Sequence, residues 1–329
     1  LTQREMDLAA SIQVVTEEIM LKLARSIARE TQQKNLCLAG GVALNCVANG
    51  KILRERVFER IWVQPAEGDA GGAVGAALSL YYIMLKQPRV IAEEHDAMNG
   101  SYLGPEYSQD EIEKRLCQRG AVFSPHTEEE LVEQTANALA DGKAVGWMNG
   151  RMEFGPRALG ARSILADPRS PTMQKLLNLK VKYRESFRPF AASVLREDLA
   201  DWFEIDTDSP YMLFVADVVQ SKRLEMTKQQ KSLFGIDKLN VPKSVIPAVT
   251  HVDYSARVQT VHQATNPRYY KLISRFKEIT GCPILVNTSF NVRGEPIVCT
   301  PEDAFRCFMS TDLDLLVVGN AMLYKHDQT

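Results

Sequence analysis

The chain has 329 residues, 45% of them hydrophobic and 24% charged, with a formal net charge of -2. That length suffices for two domains with full cores, and the composition is that of an ordinary globular protein. The near-neutral balance predicts no bulk attraction to nucleic acid or to an anionic membrane. No apolar run approaches the roughly 20 residues that span a bilayer, and nothing at the start reads as a signal peptide, so a cytoplasmic protein is expected. The six cysteines, Cys37, Cys46, Cys117, Cys282, Cys299 and Cys307, form no C-x-x-C pair and read as buried reduced thiols. The five histidines never fall at metal-ligand spacing, which argues against a zinc hydrolase.

A helical pattern already runs a few residues after Leu1, as in a chain that begins in mid-protein. Leu8, Ile12, Val15, Ile19, Leu23 and Ile27 recur at three- and four-residue spacing and predict an amphipathic helix. A short buried strand over 36–39 opens into Gly40-Gly41 and a helix over 49–56. A second strand over 61–63 leads to the turn Glu67-Gly68-Asp69-Ala70-Gly71-Gly72, then to an Ala-rich helix reaching about Leu85. Strand, Gly-rich turn and helix thus occur twice, the mark of an α/β unit with backbone amides exposed where its helices begin.

Residues 86–107 mix Pro, Gly, Asn and acids without periodicity and read as a linker, with a domain boundary near residue 100. Beyond it the pattern predicts helices over 128–141, 172–179, 268–280 and 301–310, the last with Thr300 as N-cap and Pro301 in first helical position. Strands are expected over 144–148, 212–219, 257–261, 284–286 and 315–318, which suits a mixed α/β sheet. The polar, Lys-rich stretch 220–245 reads as a mobile excursion.

Three places concentrate chemistry. Between Arg151 and Arg188 nine basic residues stand against three acids, a local balance of +6. Its opening, Gly150-Arg151-Met152-Glu153-Phe154-Gly155-Pro156-Arg157, has the Gly and Pro content of a shaped loop. Arginine forks pair bidentately with phosphate or carboxylate, so a small polyanion is the natural ligand, against the plainer reading of solvated charges and salt bridges. Asn287-Thr288-Ser289-Phe290-Asn291 follows a strand and offers hydroxyls and amides to a ligand, or simply forms a turn. Gly40 and Gly41 can let a nucleotide approach the backbone, with Asn45 available to a ribose or base. Asp69 could reach a cation or, more plainly, cap the Ala-rich helix. No Walker lysine or G-x-G-x-x-G fingerprint is present.

With these segments in hand, the chain resembles the NodU/CmcH family of O-carbamoyltransferases. The matching pieces are Leu38-Ala39-Gly40-Gly41-Val42-Ala43-Leu44-Asn45, Glu67-Gly68-Asp69-Ala70-Gly71, the run from Gly150 to Gly160, the run from Lys182 to Phe190, and Asn287-Thr288-Ser289-Phe290-Asn291. The resemblance implies an α/β chain in which residues 1–100 end an actin-like ATPase-superfamily domain and 101–329 form a YrdC-like mixed α/β domain. It implies that carbamoyl phosphate and ATP give carbamoyl-adenylate and pyrophosphate, and that the carbamoyl group then passes to a hydroxyl of a small-molecule acceptor. By position Arg157, Lys182, Arg188, Arg257, Asn287 and Ser289 would line the adenylation site, with Met212 and Asn291 beside the nucleotide. Arg157 and Arg188 would meet carbamoyl or phosphate oxygens, Lys182 the nucleotide phosphates, and Asn287 and Ser289 the carbamoyl group. Gly40, Gly41 and Asn45 would lie near the adenylate, and Asp69 would ligate a divalent metal, iron or magnesium.

The resemblance puts that domain's histidine ligands and catalytic residues upstream of Leu1. The metal site is therefore expected to be incomplete, and the chain to form carbamoyl-adenylate without carbamoylating an acceptor. Its expected partners are the acceptor and the N-terminal half of the same enzyme. An apolar patch left by that half could drive pairing as a homodimer. Two rival readings are a threonylcarbamoyl-adenylate enzyme of tRNA modification, which would depend on threonine and bicarbonate, and an RNA-binding module using the basic cluster, which the near-neutral net charge disfavours.

Overall fold

The structure is a computed structural model describing residues 2–91 and 97–328. It divides into two units, the first comprising 1–97 with Leu213–Val215 and the second Met98–Met212 with Ala216–Thr329.

In the first unit, α1 (Gln3–Thr31) is followed by β1 (Asn35–Leu38), α2 (Cys46–Glu55), β2 (Arg60–Val63) and α3 (Gly71–Leu78), which continues as a wider π-type turn through Met84. β1 and β2 pair in parallel, Leu36 against Ile61. A small core forms where Ala24 of α1 meets Leu36, Ile52 and Phe58, with Met20, Leu21 and Ala28 packed around it. The periodic apolar residues behave differently from expectation: Leu8, Ile12, Val15, Ile19, Leu23 and Ile27 are all exposed. The helix is amphipathic, yet its bulkiest stripe is not the one the unit buries. Its inner face carries Glu17, buried and ion-paired with Lys51.

The second unit is built on a nine-stranded mixed sheet. Its strands are β3 (Ser124–Pro125), β4 (Val145–Met148), β5 (Arg162–Ala166), β6 (Ala191–Leu195), β7 (Phe214–Asp217), β8 (Ser255–Val261), β9 (Ile284–Ser289), β10 (Leu315–Val318) and β11 (Ala321–Tyr324). Of β7, the residues Phe214 and Val215 are grouped with the first unit. Their order is β3-β11-β10-β4-β5-β9-β6-β8-β7, with β10/β4 and β6/β8 parallel and β4/β5, β5/β9 and β6/β9 antiparallel. The expected mixed α/β sheet is therefore present. The central strands β4, β5 and β6 are buried along their whole length.

Local chemistry sets the helices. α4 (Gln109–Gln118) and α5 (Glu128–Ala140) open with reciprocal capping boxes, Ser108 with Glu111 and Thr127 with Glu130. After the short helices α6 (Met173–Leu176), α7 (Leu199–Trp202), α8 (Lys228–Lys231) and α9 (Gly235–Leu239), α10 (Pro267–Thr280) starts at the Asn266 cap and stops at Gly281, whose φ of 73° suits only the left-handed region. α11 (Pro301–Met309) has the expected Thr300 cap and Pro301 start. α5 packs on α10, and α4 on α11.

Several expectations are corrected. The stretch 220–245 carries α8 and α9, and the bridge Arg223↔Ser244 pins its base. Within it the Lys243 ammonium is buried under the carbonyls of Lys238 and Val241, so part of its lysine content is structural. Of the six cysteines, all free, only Cys282 and Cys307 are buried. α4 begins immediately after the supposed linker, of which residues 92–96 lie outside the described residues. Among the described residues no helix is long and apolar enough to cross a membrane.

Candidate active site

A cleft of about 290 Å³ in the second unit is lined by Pro156, Arg157, Ala158, Arg184, Arg188, Pro189, Met212, Arg257, Asn287, Thr288 and Ser289. Four arginines converge there, and no carboxylate is among the lining residues. Such a lining favours an anion, since each guanidinium adds positive potential and planar donors.

Each wall has a sequence reason. Arg157 stands on the irregular segment between β4 and β5, which is held from inside by Glu153. The Oε1 atom of this buried carboxylate accepts from the backbone N–H of Leu159 (2.6 Å), Ala161 (2.8 Å) and Arg162 (3.3 Å). On the other side, Tyr102 Oη and Gln259 Nε2 both donate to the Leu159 carbonyl at 2.8 Å, and Trp147 Nε1 donates to the Gly160 carbonyl at 2.9 Å. Gly160 is required: at φ 103° its Cβ would sit 2.3 Å from the Tyr269 ring. Met212, buried at φ 58°, is a non-glycine residue in the left-handed region on the cleft wall.

Asn287, Thr288 and Ser289 do not follow the strand. They form its end, because Asn287 pairs with Leu165 and Ala191 while Ser289 pairs with Ser163. Their polarity allowed a turn, but β6 continues the ladder to Asn287 and β5 continues it through Ser289. Arg257 stands opposite Ala191 on β8, one strand beyond.

Lys182 lies behind the cleft wall. Its side chain is buried, and its ammonium donates to the Ser289 carbonyl, to Ser289 Oγ (3.2 Å), to the Asn291 carbonyl (2.9 Å) and to Asn291 Oδ1 (2.8 Å). Burial, with the Arg184 charge adding to it, pushes Lys182 down to about 7. Four oxygen acceptors around one ammonium oppose that shift. The expected contact of Lys182 with nucleotide phosphates is thus replaced here by an inward contact joining Ser289 to Asn291. Asn291 in turn donates to the Glu295 carbonyl at 2.8 Å.

The nine-base cluster separates into roles. Arg157, Arg184 and Arg188 line the cleft. Arg162 is fully buried and donates to the carbonyls of Gly150, Ala161 and Pro105, and Arg169 is held bidentately by Asp167. Arg188 is also paired with Glu185 at 3.0 Å. Arg184 was counted in the cluster but given no site role by the sequence. Glu153, Gln259 and Ser193 were missed, although a glutamine inside the apolar run of β8 is a signal, since a buried amide must find partners.

In the first unit, Gly40 has φ 95° and, like Gly41, has open space where a Cβ would be. Asn45 is the N-cap of α2, accepting from Ala48 N–H at 3.1 Å and exchanging two hydrogen bonds with Gln13. Its amide is therefore occupied locally rather than offered to a nucleotide. Asp69 is exposed and does not cap α3, whose N-cap is Ala70 without a side-chain hydrogen bond. Among the described residues no group of three or more His, Cys, Asp or Glu side chains could hold a metal.

This fold and this anion cleft sit within a recognised family, and the chain belongs to the carbamoyltransferase family. Residues 136–325 match the family model described as Carbamoyltransferase C-terminus, and residues 1–78 match Carbamoyltransferase N-terminus. It is 60% identical to an uncharacterized protein of Synechocystis over 100% of this chain and 54% of that protein. It is 42% identical to the nodulation protein NolNO of Sinorhizobium fredii, over 98% of this chain and 45% of that one, and 40% identical to the nodulation protein NolO of Bradyrhizobium diazoefficiens, over 98% and 55%. The chain thus spans about half the length of these relatives. Among solved structures, full-length HypF in its phosphate- and nucleotide-bound form covers 63% of this chain and 22% of its own at 14% identity, with a TM-score of 0.36 that carries no argument.

Proposed function

We propose that the second unit binds ATP and a carbamoyl donor in the four-arginine cleft and forms carbamoyl-adenylate, for transfer by the whole enzyme to a hydroxyl of a small-molecule acceptor. The observation that carries this reading is the convergence of Arg157, Arg184, Arg188 and Arg257 opposite the Asn287–Ser289 strand end, with no acid in the lining. In this reading carbamoyl phosphate takes up water and releases phosphate, leaving carbamate. A carbamate oxygen attacks the α-phosphorus of ATP, the bond from that phosphorus to the bridging oxygen breaks, and pyrophosphate leaves. Charge builds on phosphate oxygens throughout, so preorganised guanidinium groups lower the barrier without covalent catalysis.

Ser289 and Asn291, tied together by Lys182, fix the strand end from which Asn287 meets the carbamoyl group. This reading assigns residues 1–100 to the end of an actin-like transfer domain and 101–329 to a YrdC-like domain. A divalent metal would need more than the exposed Asp69, since the described residues supply no three-ligand group, and no step is routed through one. ATP–pyrophosphate exchange by the chain tests the proposal. Exchange that requires carbamoyl phosphate and is lost in Arg157→Ala is the expected result, and a folded chain without it would overturn the reading.

A further inference from the structure

Three buried side chains on adjacent strands, one of them in the cleft lining, form a directed relay. Ser193 on β6, Gln259 on β8 and Asn287 on β9 are each no more than 2% exposed. Ser193 and Gln259 are direct cross-strand partners, and Asn287 lies one pleat along from Leu285, the partner of Ser193. Gln259 Oε1 accepts from Ser193 Oγ (2.6 Å) and Asn287 Nδ2 (2.9 Å), and Asn287 Nδ2 also donates to Ser193 Oγ (3.0 Å).

The polarity of this relay follows from one fixed point. The Leu159 carbonyl can only accept, so the Gln259 atom at 2.8 Å from it must be the amide nitrogen. Gln259 then turns its oxygen towards Asn287, which must answer with its own nitrogen. Both hydrogens of that nitrogen are used, one by Ser193 and one by Gln259. What remains is Asn287 Oδ1, a buried acceptor with no hydrogen-bond partner among the described residues, on a residue that lines the cleft. An acceptor with no partner favours a ligand that brings a donor and penalises one that brings a methyl group in the same place.

We propose that Gln259 is a specificity-determining positioning residue: by fixing the Asn287 amide so that its oxygen is the atom left without a protein partner, it makes the cleft select an acyl group that carries an N–H donor over its methyl isostere. This rests on the function proposed above and names how that site tells a carbamoyl group from an acetyl group. Carbamoyl phosphate and acetyl phosphate differ only in an amino group against a methyl group, so they isolate the effect. Gln259 also holds the Leu159 carbonyl, two residues from Arg157, so the same side chain ties donor selection to the arginine loop.

The test compares ATP–pyrophosphate exchange supported by each acyl phosphate. Satisfying one otherwise unpaired buried acceptor gives a preference of about ten- to a hundredfold for carbamoyl phosphate in the unaltered chain. In Gln259→Met the Asn287 amide loses its anchor and can turn, so the ratio falls towards parity, and Ser193→Ala gives an intermediate ratio. A folded Gln259→Met chain that slows with both compounds equally, keeping the ratio, would refute the proposal while leaving the adenylation reading intact. If the unaltered chain shows no exchange with either compound, the adenylation reading fails instead. Where Gln259→Met does not fold, hydrogen exchange of the side-chain amides decides. An Asn287 amide, identified by its loss in Asn287→Asp, must be protected in the unaltered chain and deprotected in Ser193→Ala. Exchange at the solvent rate in the unaltered chain would overturn the relay.

Discussion

Glu153→Ala should cost the second unit more stability than any substitution of a cleft arginine. One buried carboxylate oxygen satisfies three backbone N–H groups, those of Leu159, Ala161 and Arg162. A hydrogen bond to a charged group contributes about 1.5–3 kcal/mol, and sharing one acceptor three ways weakens each, so alanine should cost about 3–5 kcal/mol. The buried charge on Arg162, which burial disfavours, would also lose the carboxylate that supports it most. Glu153→Gln keeps an acceptor oxygen in place and should cost about 1–2 kcal/mol. Urea unfolding followed by tryptophan fluorescence reads this directly, since Trp147 is buried and bonded to the Gly160 carbonyl of the same segment. The expected signature is a lower midpoint at unchanged slope. An alanine variant within about 1 kcal/mol of the unaltered chain would show that the Arg157 segment is held by something other than this carboxylate.

Further consequences are open to measurement. Lys182 holds its proton only below about 7, whereas an unfolded lysine holds it to about 10.5. Between those values the unfolded chain binds the extra proton, so the penalty for burying Lys182 shrinks as pH rises, by at most about 1.4 kcal/mol per unit. The stability difference between the unaltered chain and Lys182→Met should carry that slope, and a flat difference would count against it. Arg157→Ala should weaken ATP binding by about tenfold or more in calorimetry, with a shallower salt dependence, because a charge-assisted contact is lost. Arg169→Ala, whose partner is Asp167, should leave ATP affinity unchanged. Asn45→Ala should cost the first unit about 1 kcal/mol as a lost cap, seen as faster hydrogen exchange across the first turn of α2.

What could be read from the sequence follows physical lines. Capped, periodic segments such as α5, α10 and α11 were found nearly to the residue, because caps and periodicity are local. β5 and β6 were not, since they lie in or beside the arginine-rich stretch and are strands only by virtue of the neighbours that pair with them. α4 was passed over despite its Ser108–Glu111 box, hidden behind the irregular stretch before it. Arg157, Arg188, Arg257, Met212, Asn287 and Ser289, all named through the family resemblance, line one cleft. Lys182 and Asn291 are hydrogen-bonded to each other and are not among its lining residues, and Asn45 serves a helix cap. Sequence spacing cannot say which side chains point inward, and for Glu153 and Gln259 the function lies wholly in that direction.

The most direct check of the central reading is which bond of ATP the chain breaks. Phosphorus NMR on ATP and carbamoyl phosphate with the purified chain should reveal AMP-derived product, pyrophosphate and phosphate accumulating together, all abolished in Arg157→Ala. Accumulation of ADP instead would mean attack at the terminal phosphate, and would contradict carbamoyl-adenylate formation in the four-arginine cleft.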